Sequence, residues 1–220
     1  MQNTTHPDES PLSIQQLQRY LPNWLKRFLP TGGGRADDDH GKSMFGFTVF
    51  LLSESIIFLS FFVTYITLRL TNPHWLPPGV KGPELSTAVI INSVILVSSS
   101  FVIQAAEGAL KRRQLKRFRL LWLTTSAMGA YFLVGEVKEW LGLDFGPSTG
   151  VVGGTFYTLT GFHGLHVLTG IILQIIMLIR SFIPGNYNKG NFGVSASTLF
   201  WHFVDVIWVV LFSLVYLWRT

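Results

Sequence analysis

The sequence predicts an all-α fold, a polytopic membrane protein built as a bundle of five transmembrane helices. Three observations carry that prediction: five long apolar runs, a shortage of charge, and positive charge concentrated in alternate connections. Of 220 residues, 48% are hydrophobic and only 13% charged, where a soluble chain would carry about a quarter. The apolar runs cover residues 45–68, 85–109, 118–140, 155–179 and 197–218. Each approaches or exceeds the roughly 20 residues needed to cross about 30 Å of hydrocarbon. Leu, Ile, Val and Phe occur in them at every helical phase, as a helix surrounded by lipid or other apolar helices requires. Lipid offers backbone groups no hydrogen bonds, so such spans must be helical; barrel strands would be shorter and alternating.

Charge placement then sets the orientation. Arg19, Lys26, Arg27, Arg35 and Lys42 precede the first run, Lys111, Arg112, Arg113, Lys116, Arg117 and Arg119 lie between the second and third, and Arg180 and Lys189 between the fourth and fifth. The other side has Arg69, Lys81 and Arg219, with Lys138 near a helix end. Because positive residues stay cytoplasmic, the N-terminus is expected inside and the C-terminus outside. The net charge of +5 is thereby explained by topology, and no nucleic-acid partner is implied. The chain has no cysteine, which excludes disulfides and thiolate metal sites, and its polar start does not read as a cleaved signal peptide.

Two domains are expected, a tail over 1–41 and a membrane domain over 42–220. In the tail, Leu17, Tyr20, Leu21, Trp24, Leu25 and Phe28 recur at helical spacing among Arg19, Lys26 and Arg27. That pattern fits either a basic amphipathic segment on the cytoplasmic membrane face or a loose tail. The glycines and aspartates of residues 31–39 read as a polar linker. Residues 142–154, with five glycines and Pro147, read as an outer loop.

Ionisable groups at membrane depth are costly and therefore mark the candidate sites. Glu54 lies nine residues into the first run, about 13 Å deep at 1.5 Å per residue. Glu136 and Glu139 sit three apart near the outer end of the third helix, His163 and His166 three apart in the fourth. His202 and Asp205 repeat that spacing at the cytoplasmic end of the fifth, framed by Trp201 and Trp208. A carboxylate-bridged metal site would need a Glu-x-x-His motif, which none of these four acids provides. Interhelical hydrogen bonding is the first reading of these groups, ahead of proton handling, lipid contact or a metal. Trp75, Trp140 and Trp218 read as interfacial anchors, and Ser98 to Ser100 as residues that permit close helix approach.

The exact residues say more. GGTFYTLTGFHGLHVLTG at 153–170 and LFWHFVDVIW at 199–208 resemble signature segments of subunit III of haem-copper terminal oxidases. FLLSESIIF at 50–58 resembles the family's helix with a buried acid, and GEVKEW at 135–140 its glutamate before an outer loop. The chain is similar to the family, in its five-helix bacterial type, over 42–218 in unbroken order. Many members have two further helices at the start, forming a lipid-filled cleft; here the polar stretch to Gly41 replaces them.

The resemblance implies an accessory, non-catalytic subunit of a proton-pumping cytochrome c oxidase that reduces dioxygen to water. Haem and copper would belong to partner subunits I and II, with none bound by this chain and phospholipid as its expected ligand. It implies a proton-uptake role for Glu54 and phospholipid contact for Arg180. Glu136, His163, His166, Trp201, His202 and Asp205 match signature positions as interhelical polar contacts. The bacterial inner membrane or a thylakoid membrane would hold it. A ubiquinol oxidase subunit is the alternative within the family. A stand-alone proton-coupled transporter using Glu54 is the alternative outside it, and would show inverted repeats and broken helices.

Overall fold

The computed structural model describes residues 36–73, 75–183, 187 and 191–218. Five long helices follow one another: α1 Ala36–Thr71, α2 Thr87–Lys111, α3 Leu115–Gly142, α4 Gly150–Arg180 and α5 Phe192–Phe212, the last continued by a π-helical turn, Ser213–Leu217. All five are long and apolar enough to cross a membrane, with 30 residues for α1 counted from Lys42 and 25 to 31 for the others. The amphipathic pattern of the tail lies outside the described residues. α1 as described begins at Ala36.

The packing described here is that of Leu51–Thr220, which form one compact unit. Within it α2 packs on α3, α3 on α4, α4 on α5, and α5 back on α2, closing a four-helix ring. Connections as short as that between α2 and α3 favour antiparallel neighbours. Small residues let these helices approach closely. At Gly135 an added Cβ would stand 2.6 Å from the Asn92 amide nitrogen, which donates to the Phe132 carbonyl at 3.0 Å.

From Leu51 onward α1 joins the ring through bulky side chains rather than close backbone contact. Phe58 is fully buried, with its ring 5.1 Å from Phe162 of α4 and 6.0 Å from Phe203 of α5. Phe61 meets Phe162 edge-on at 5.1 Å. At the far end, Arg69 donates to the Trp218 carbonyl at 2.6 Å and lies over the Trp218 ring at 5.2 Å. Outward-facing positions such as Leu52, Ile56, Phe101, Leu141 and Val206 are exposed apolar side chains, the surface a lipid-facing bundle presents.

Candidate functional site

Glu54 is not solitary. Its Oε2 lies 3.3 Å from His166 Nε2 on α4, while His166 Nδ1 is 2.8 Å from the Phe162 carbonyl. A carbonyl can only accept, so Nδ1 carries a hydrogen, and Nε2 of a neutral ring is then an acceptor. A hydrogen bond between Glu54 and His166 therefore needs a hydrogen on the carboxyl oxygen or on Nε2. Aromatic rings enclose the pair: Phe58 stands 4.9 Å and Phe162 4.7 Å from the imidazole, and Phe200 stacks at 6.1 Å.

A second network binds α2 to α5. The Trp201 indole donates to Ser99 Oγ at 2.7 Å, with its ring set against α3 and α4. An added Cβ at Gly129 would lie 2.5 Å from that ring, and one at Gly170 2.8 Å. Ser100 donates to Asp205 Oδ2 and meets His202 Nδ1 at 3.0 Å, while His202 Nε2 faces Gln104 Oε1 at 3.0 Å. The serine run is thus a hydrogen-bonding edge as well as a place of close approach. His202 and Asp205 also lie deeper than their place in the fifth apolar run implies. α5 begins at Phe192, because Gly193 to Ala196 are helical although weakly apolar. His202 is therefore ten residues in, 192 to 202, or about 15 Å, close to the middle of the helix.

His163 diverges from His166 despite their spacing. Its ring is fully buried, stacks on Trp208 at 5.1 Å and meets the edge of Phe132 at 5.9 Å. Neither of its ring nitrogens has a protein partner among the described residues, nor does Glu136 Oε1, whose side chain is equally buried. Glu139 accepts from Tyr216 at 2.7 Å. Among the described residues no three His, Asp or Glu side chains are placed to share a metal ion, and the two histidines point to different neighbours.

At the other end of the bundle Arg180 is the last residue of α4. Beside it Tyr187 donates to the Met177 carbonyl at 2.6 Å. Burial pushes the Tyr187 phenol above the usual tyrosine range, against the pull of the Arg180 guanidinium. Arg119 holds Ser181, with 2.5 Å to its carbonyl. A further acid, Glu107, is buried as well; it accepts from Ser195 at 2.7 Å and pairs with Lys111 at 2.9 Å. Sequence reasoning passed over it, although its place four residues before Lys111 is the signature of a helical ion pair. Ser100 and Gln104 carried no such signal.

The family model for cytochrome c oxidase subunit III matches residues 37–220. The chain is 44% identical over 189 residues to cytochrome c oxidase subunit 3 of Synechocystis sp., covering 84% of this chain and 80% of that protein. It is 45% identical over 173 residues to that of Thermostichus vulcanus, covering 78% and 85%. With the subunit of Papio hamadryas it shares 33% over 179 residues, 79% of this chain and 69% of that one. A match that spans all five helices in order, over signature residues that the fold brings into contact, places this chain in the cytochrome c oxidase subunit III family.

Proposed function

We propose that this chain is an accessory, non-redox subunit of a haem-copper respiratory oxidase, with haem and copper held by partner subunits I and II. The observation that carries the reading is the family match from residue 37 to 220. The contacts of Trp201, His202, Asp205 and His166 with neighbouring helices support it, as side chains that hold the bundle together. In this role the ring of α2 to α5 is a rigid buttress for the catalytic subunit. The Glu54–His166 pair on its α1 face holds a proton at membrane depth beside the uptake route, sustaining proton supply and guarding against inactivation in turnover. Cytochrome c is the electron donor favoured by the names of the relatives. The membrane is the bacterial inner membrane or a thylakoid membrane, with the N-terminus cytoplasmic and the C-terminus outside, as the charge asymmetry favours.

The test is purification of the chain's assembly in mild detergent. The expected result is co-purification with larger chains whose visible spectrum shows haem, and a colourless, metal-free chain when this subunit is separated. Stoichiometric haem or copper on the separated chain would overturn the non-redox reading.

Arg180, at the end of α4, is proposed to hold a phospholipid phosphate, a group that a guanidinium binds through paired hydrogen bonds. Arg180→Ala is expected to leave assembly intact and lower the phospholipid retained by the complex. Lipid content equal to wild type would remove that assignment.

A further inference from the structure

Between α2 and α3 the chain reverses through a tight helix-ending turn. The Arg113 amide donates to the Leu110 carbonyl at 2.8 Å, and the Gln114 amide to the Ala109 carbonyl at 2.9 Å. This pair of bonds places Arg113 in the left-handed region, at φ 58°. Glycine is the usual occupant of that position, because an L side chain is strained there. The chain nevertheless sets a cation there, flanked by Lys111, Arg112, Lys116 and Arg117.

Beside this turn is an open cavity of about 420 Å³, lined along α2 by Phe101, Ala105, Gly108 and Ala109 with the Gln104 amide among them, and by Arg112, Gln114 and Arg117. Phe101 is 77% exposed, and a Cβ added at Gly108 would meet nothing within 4 Å. The lining runs eleven residues along α2, from 101 to 112, about 16 Å. Among the described residues neither Arg112 nor Arg117 has an ion pair or side-chain hydrogen bond. Glu107, the carboxylate of this stretch, is engaged by Lys111 and Ser195.

An uncompensated pair of guanidiniums at the membrane surface, above an apolar trough, sets two demands at once. An acidic protein segment would answer the charge and leave the trough open; an apolar helix would fill the trough and leave the charge. An anionic phospholipid answers both. We propose that this trough binds one, its phosphate clasped by Arg112 and Arg117 and one acyl chain laid over Phe101, Ala105 and Gly108. Arginine presents a planar fork that matches phosphate oxygens, and basic pockets between membrane helices take anionic headgroups. The site is on α2 and the start of α3, separate from Arg180 at the end of α4, and it stands whether or not the oxidase assignment does.

The experiment compares lipids retained by the assembly purified from membranes in mild detergent, by native mass spectrometry. Wild type is set against Arg112→Gln/Arg117→Gln and against Gly108→Leu. The expected result is loss of one anionic phospholipid in each variant, with every protein chain retained. Rebinding to delipidated wild type is expected from phosphatidylglycerol and not from phosphatidylcholine or inorganic phosphate. Should the double variant fail to assemble, Gly108→Leu carries the test, since it adds volume only to open space and leaves every cation in place. An anionic lipid complement equal to wild type in Gly108→Leu would overturn the proposal. Loss of a protein chain with unchanged lipid would overturn it too and assign the face to a protein partner. Rebinding of free phosphate alone would reduce it to an anion site with no role for the trough.

Discussion

Trp201→Ala is expected to release this subunit from its assembly at detergent and temperature conditions that wild type survives. The side chain is fully buried and spans three interfaces at once. Its indole N–H reaches Ser99 on α2, and its ring lies on Gly129 of α3 and Gly170 of α4. Truncation of a buried tryptophan costs about 3–5 kcal/mol through lost contacts and the cavity left behind, and here the cavity would sit where four helices meet. Trp201→Phe retains most of the filled volume and leaves Ser99 Oγ without its donor, so the smaller loss of a hydrogen bond, about 1 kcal/mol, is expected. Gly170→Val should approach the alanine variant from the opposite direction. Its Cβ would stand 2.8 Å from the ring, and overpacking of a dense core costs about 1–3 kcal/mol. Retention of the subunit during a thermal ramp of the purified complex ranks the three. Retention of Trp201→Ala to the same temperature as wild type would show that the ring does not key these helices together.

Glu54→Gln is expected to abolish modification of this chain by a hydrophobic carbodiimide while leaving dioxygen reduction close to wild type. Such a reagent reaches carboxyls from the lipid and needs a proton at the carboxyl. Glu54 is partly accessible, with 18% of its side chain exposed, and its Oε2 faces His166 Nε2 at 3.3 Å. Glutamine retains the shape and can donate an N–H to His166 Nε2, so α1 should stay docked on α4. The titratable carboxyl itself is lost, and the consequence should appear in proton pumping or in the number of turnovers before inactivation. His166→Phe removes the partner while retaining aromatic packing against Phe58 and Phe162, so it should reproduce the functional change with Glu54 still present. If Glu54→Gln stops oxygen consumption in a fully assembled complex with normal haem spectra, the carboxylate belongs to the catalytic path and the accessory role is wrong.

The five spans were legible in the sequence because the signal is long and redundant. Crossing about 30 Å of hydrocarbon takes some twenty apolar residues, and no single residue decides the outcome. The family signature was legible for a related reason: whole segments, GFHGLH and WHFVDVIW, stand intact in the chain. Within a helix the spacing rules also held, and each three-residue pair named from the sequence does lie on a continuous helix. Partner choice across helices was another matter. Nothing local tells Glu54 that its partner stands 112 residues away at His166, or that His163, three residues earlier, will turn to Trp208 instead. Nor does it tell Ser100 that it will bridge Asp205 and His202. Side-chain direction on a helix follows from the 3.6-residue period, but which helix lies in that direction depends on the closing of the ring α2 to α5 and on the aromatic spacing of α1. The sequence by itself determined that this chain crosses the membrane five times and to which family it belongs. Only the tertiary structure decided which buried polar groups meet, because that pairing is set by helix packing over long range and not by any neighbour along the chain.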